Sequence, residues 1–170
     1  MTRDQKIVAA GAATGVASMA LAMWLLPGVL PAPADVASLD GRLAYALRWC
    51  AFAALPLFFL VVAIGNARAL GAAIDPTLGR EDKAMLINGR VADNSLEQFT
   101  LFFAGARALA AGLPPGSMRV IGAAAIVFAA ARILFWIGYR IDPLYRAFGF
   151  AATFYLNLGL LLAAFWFAIR

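Results

Sequence analysis

Histidine is absent from this 170-residue chain, and Cys50 is its single cysteine. Without histidine there is no Ser-His-Asp triad and no imidazole general base. With one thiol besides, zinc sites built on His or Cys are excluded, and so is any internal disulfide. Charge is scarce as well, at 14% of residues. What abounds is apolar: 64% hydrophobic residues and a mean hydropathy of +0.85 lie well outside the range of soluble domains, so the chain reads as an integral membrane protein. Its chemistry must therefore rest on Arg, Tyr, Glu, Asn or a bound co-substrate. The net charge of +5 does not point to nucleic acid, because the basic residues sit at the ends of apolar segments, where headgroups and orientation account for them.

Five apolar runs divide the chain into an all-α bundle of five spans. The first, Ile7 to Leu30, follows Arg3 and Lys6 and is too long for the core of a signal peptide, although Ala32-Pro33-Ala34 resembles a cleavage site. It is expected to be a retained helix, with residues 1–42 forming that helix and its connection. The second run, Leu43 to Leu70, carries Pro56 as an expected kink and Cys50 as a buried, inert thiol. Gly71 to Lys83 reads as the longest polar loop. The third span runs from about Ala84 to Leu109, and the fourth ends at Tyr139 with Ser117 as its expected N-cap. Asp142-Pro143 is expected to cap the fifth span, which runs to Ile169.

Lys and Arg set the expected orientation. Arg3, Lys6, Arg68, Arg80, Lys83, Arg90, Arg132, Arg140 and Arg146 fall toward the side of the N-terminus, against Arg42, Arg48, Arg107, Arg119 and Arg170 on the other, so the N-terminus is expected in the cytoplasm. A bacterial inner membrane is the expected location.

The third span opens with polar residues that a bilayer normally excludes. Arg90, Asn94 and Glu97 stand at i, i+4 and i+7 and share one helix face. Arg132, Phe135 and Tyr139 do the same in the fourth span. Ionisable groups inside a span are functional candidates by default. At 1.5 Å per residue, Glu97 lies about 10 Å below Arg90 and Arg132 about 10 Å below Tyr139, so the expectation is a Glu97–Arg132 pair with Arg90, Tyr139 and Arg146 ringing a cavity mouth above it. A structural ion pair needs one Glu and one Arg, whereas this face offers a surplus of guanidinium groups, which suits an anionic ligand. For Arg68, Arg80, Arg107, Arg119 and Arg140, snorkelling to headgroups is the simpler reading.

These two motifs resemble those of the membrane-associated proteins in eicosanoid and glutathione metabolism, whose members include microsomal glutathione transferases and leukotriene C4 synthase. The likeness rests on Arg90-x-x-x-Asn94-x-x-Glu97 and on Arg132-x-x-Phe135-x-x-Gly138-Tyr139 followed by Arg146, and it makes residues 43–170 a four-helix unit with one added N-terminal helix. The resemblance implies a homotrimer that binds glutathione as co-substrate between subunits, with hydrophobic small molecules arriving from the bilayer. Arg90, Asn94 and Glu97 would hold the peptide, Tyr139 would add a hydroxyl contact, and Arg132 would support Glu97 or a carboxylate. Arg68 would match an arginine from the neighbouring subunit, and Arg146 the arginine that stabilises the thiolate. The pattern departs at Gln98 and Phe135, where leukotriene C4 synthase carries tyrosines.

The first reading is thus a glutathione-dependent transferase or peroxidase. A second is a non-catalytic subunit that uses helix one to bind another membrane protein. A third, a small transporter or channel, lacks the paired broken helices that mark transport sites.

Overall fold

The computed structural model describes all 170 residues except the side chain of Pro76. Five helices run in order as α1 (Arg3–Val29), α2 (Leu39–Leu70), α3 (Lys83–Gly112), α4 (Arg119–Ile141) and α5 (Arg146–Ala168). Among the described residues there is no strand. The shortest helices have 23 residues, about 35 Å at 1.5 Å per residue, which exceeds a hydrocarbon core of about 30 Å. Four, namely α1, α2, α4 with the turn before it, and α5, are long and apolar enough to cross a membrane. At 30 residues α3 is also long enough, but Arg90, Asp93, Glu97 and Arg107 interrupt its apolar character. Large apolar side chains such as Trp24, Phe58, Phe59 and Phe165 stand exposed on the outside of the bundle, as a bilayer solvent permits.

Small residues decide which helices touch. In a bilayer, close backbone approach rather than water exclusion drives helix pairing. Gly149 of α5 faces the backbone of α4, where an added Cβ would meet Phe135 N at 2.6 Å. Gly15 of α1 faces the Phe148 carbonyl of α5, and Gly11, one turn earlier, faces Ala147. The first helix therefore packs chiefly on α5 and α4, while α2 packs on α3 and α4. The buried core behind these seams holds Phe102 and Phe128, with ring centroids 4.6 Å apart, together with Met118, Ile121, Leu156 and Leu160. Cys50 is buried among them, in agreement with its reading as an inert thiol.

The expected capping needs two corrections. Ser117 ends a 3-10 turn at Pro115–Ser117, and α4 begins at Arg119 with Met118 before it and no side-chain cap. Asp142 accepts from Leu144 N at 2.8 Å and shapes a turn, so that α5 starts at Arg146 rather than at Pro143. Pro115 and Pro143 each lie within the turn that leads into the helix. Pro56 stands inside α2, which continues past it. The polar loop holds a 3-10 turn at Pro76–Leu78, capped by Asp75 and closed by Gly79 in the left-handed region. Hydrogen bonds from Thr77 to Asp75 hold that carboxyl below its ordinary range.

Candidate functional site

Around α3 the polar stretch divides between two directions. Ser95 and Gln98 are buried, Asn94 is half-buried, and Arg90, Asp93 and Glu97 are exposed. The inner set meets Arg132 of α4, which is only 2% exposed. Its Nε donates to Ser95 Oγ at 3.2 Å, its Nη2 to Ser95 Oγ at 2.7 Å and Asn94 Oδ1 at 3.2 Å, and its Nη1 to Thr153 Oγ1 of α5 at 3.3 Å. Arg132 thus fastens three helices through neutral acceptors.

The expected direct pair between Glu97 and Arg132 is not formed. Glu97 accepts from Asn94 Nδ2 at 3.3 Å while Asn94 Oδ1 faces Arg132, so one amide stands between the two charges. Helical geometry explains this. Ser95 points at α4, and Glu97, two residues on, is rotated by about 200° and faces out. Equal depth was not enough; angular position decided the partner.

Arg146 begins α5 and is exposed, with Nη1 donating to Pro143 O at 3.1 Å. Its Cζ lies 5.3 Å from the centroid of the Tyr139 ring. Tyr139 meets Phe135 edge to face at 5.8 Å, and Phe135 in turn lies under the Arg132 guanidinium at 4.0 Å. A continuous ladder of cation, ring, ring and cation therefore climbs from the buried Arg132 to Arg146. Arg146 also borders a hollow of about 430 Å³ with Val8 and Ala12 of α1 and Phe150 and Phe154 of α5.

Arg90 lies elsewhere. It borders a hollow of about 450 Å³ between the end of α2 and the start of α3, together with Arg68, Glu81 and Asp93. Arg68 Nη2 and Glu81 Oε1 form an ion pair at 2.6 Å, the only salt bridge among the described residues. Arg90, Arg132 and Arg146 accordingly occupy three environments within one chain rather than one shared mouth, which corrects the expected single cavity.

Sequence reasoning missed Ser95, Thr153, Asn157 and Glu81. Thr153 and Asn157 were legible in principle, since they stand at i and i+4 in a largely apolar helix. Asn157 Nδ2 donates to the Gln98 carbonyl and to Gln98 Oε1, each at 2.9 Å. Gln98 and Phe135, the two departures from the tyrosine pattern, thus serve the interior: one ties α3 to α5, the other carries Arg132. Among the described residues no group of His, Cys, Asp or Glu is placed to hold a metal ion.

A family model described as MAPEG matches residues 46–166. Transmembrane protein 79 of Bos taurus is 27% identical over 160 residues, covering 89% of this chain and 40% of the relative. The Mus musculus protein of that name is 25% identical over 124 residues, covering 73% of this chain and 32% of the relative. The chain therefore spans less than half the length of either. An 89% match leaves fewer residues unmatched than the 27 of α1, so the likeness to the bovine protein reaches into that helix. No solved structure matches the chain.

Proposed function

Because this chain belongs to the MAPEG family, we propose that it is a membrane enzyme that binds glutathione and holds its thiol as thiolate for attack on a lipophilic electrophile. The observation that carries this reading is the ladder ending at Arg146, whose guanidinium is propped on Tyr139 at the first turn of α5 with one donor used by a carbonyl. A thiol of pKa about 8.5 is mostly protonated at neutral pH, and a guanidinium beside it favours the charged nucleophile. The amino end of α5 acts in the same sense. Attack would form a carbon–sulfur bond as the electrophile expels its leaving group, or as the displaced electron pair of an epoxide or activated double bond takes up a proton; with a peroxide, the O–O bond would break to give alcohol and water while two glutathione thiols are oxidised to the disulfide. No histidine is required.

In this reading Arg90, Asn94, Glu97 and Tyr139 contact the peptide. Arg68 joins them only by exchanging Glu81 for the ligand, and Arg132 acts through Asn94 as a positioning residue. Arg90 and Arg146 border separate hollows in one chain, so a ligand touching both sits between copies. That supports a homotrimer with sites at its boundaries, open to the cytoplasmic side that also carries the N-terminus. Placement in a bacterial inner membrane belongs to the same proposal; both relatives named above are mammalian.

The test is glutathione binding to the detergent-solubilised protein, followed by thiolate absorbance against pH. Wild type should ionise the bound thiol well below about pH 8.5. Arg146→Ala should return the midpoint toward that value with affinity little changed, and an unmoved midpoint removes Arg146 from the chemistry. Arg90→Ala should weaken binding itself.

A non-catalytic role through α1 has one observation in its favour, the likeness to transmembrane protein 79 that extends beyond the family-matched residues. Leu21 and Trp24 are exposed on α1. Replacing both by Ala should release a co-purifying membrane protein while glutathione affinity stays fixed; retention of that protein ends the second reading.

A further inference from the structure

The first helix meets the bundle closely near its start and less closely beyond. At Gly11 and Gly15 it lies against α5. From the next turn onward, Met19, Ala22 and Leu26 face Ile126, Ala130 and Leu134 of α4 across a hollow of about 180 Å³. Ala130 and Leu134 are exposed, so the hollow opens to the side of the bundle, toward lipid. Ser18 brings the only polar side chain to its lining, and a cavity of that kind suits hydrocarbon rather than water.

Arg119 stands above it. Arg119, Ile126, Ala130 and Leu134 fall at i, i+7, i+11 and i+15 and form one stripe of α4. At 1.5 Å per residue Arg119 lies about 10 Å beyond Ile126, and a side chain there leans further toward the helix start. The 23 residues of α4 exceed the hydrocarbon core, which brings its first residue to headgroup depth. Arg119 is half-buried, yet among the described residues it has neither a salt bridge nor a side-chain hydrogen bond. Asp35 and Asp40, the acids at that end of the bundle, leave it unpaired. A cation at headgroup depth over a hydrocarbon slot on the same stripe matches a molecule that joins an anion to a chain.

We propose that this groove holds one glycerophospholipid, with its phosphate on Arg119 and one acyl chain between α1 and α4. The guanidinium fork fits phosphate oxygens, and the slot admits a chain but no headgroup. The lipid then fastens the second half of α1 to the bundle, where the close glycine contacts have ended. Arg146 and the glutathione chemistry take no part in it.

The experiment uses the whole chain in neutral detergent and three probes at limiting concentration: dioleoyl phosphatidylglycerol, dioleoylglycerol, which has the chains without the phosphate, and glycerol 3-phosphate, which has the phosphate without the chains. Native mass measurement should show one phosphatidylglycerol retained per chain, with dioleoylglycerol held about tenfold more weakly, the scale of one charge-assisted hydrogen bond, and glycerol 3-phosphate not at all. Arg119→Gln should bring phosphatidylglycerol down to the level of dioleoylglycerol and leave the latter unchanged. Ala130→Trp, which fills the slot from its lipid-facing side, should remove both lipids with helix content retained. Equal retention of the two lipids, a preference that survives Arg119→Gln, or retention that survives Ala130→Trp overturns the proposal. Retention of glycerol 3-phosphate as strong as that of the lipid overturns it as well, since the chain would then contribute nothing.

Discussion

Arg132 is a buried cation whose partners are hydroxyls and an amide rather than a carboxylate. Removing it strands Ser95, Asn94 and Thr153 together, so Arg132→Ala should destabilise the bundle by about 3 kcal/mol, read from unfolding in detergent. Arg132→Met combined with Ser95→Ala should recover most of that loss, because an apolar replacement of both sides leaves little unpaired. Failure to recover would mean that the charge itself, not the stranded acceptors, is what matters. Glu81 provides a second test at this scale. Glu81→Gln releases Arg68, and glutathione affinity should rise a few-fold if that arginine joins the ligand, since an exposed pair of this kind is worth at most about 1 kcal/mol. These contacts were only partly legible in sequence. The spacing put Arg90, Asn94 and Glu97 on one side of α3, of which Asn94 turns inward to Arg132 while Arg90 and Glu97 are exposed. It gave no reason to prefer Ser95 over Glu97 as the partner of Arg132, because that depends on the rotation of α3 about its axis, which helix–helix packing fixes.

The helices themselves were far easier to read. Their apolar lengths predicted all five, with ends displaced by a few residues where a polar first turn extends the helix, as at Arg3 and Leu39, or where a turn replaces the expected cap, as at Ser117 and Asp142. Which helix touches which was not readable from hydropathy, since apolar side chains surround α5 and only Thr153 and Asn157 mark its inner side. Glycine placement carries that information. Gly149→Val should be severely disruptive, because the side chain would enter the backbone of α4, with a cost above the 1–3 kcal/mol usual for overpacking. Gly159→Ala, in the same helix but facing open space, should stabilise by roughly 1 kcal/mol. Equal effects at the two positions would refute the seam between α4 and α5.

The whole molecule presents Arg90, Asp93 and Glu97 on the outside of an otherwise greasy bundle. Ionisable groups facing lipid are costly, and a neighbouring copy is the simplest cover for them. Cross-linking and native mass measurement should therefore report an oligomer, three copies on the proposed reading, and a stable monomer would leave those charges unexplained. The position of α1 bears on biosynthesis. In chain order α1 leaves the ribosome before α5, the helix on which it chiefly packs. Until α5 is inserted, Gly11 and Gly15 lack the backbone they meet. During synthesis α1 therefore waits in the bilayer or on a chaperone, and ribosome-stalled chains ending before Arg146 should leave it open to proteolysis and stray pairing.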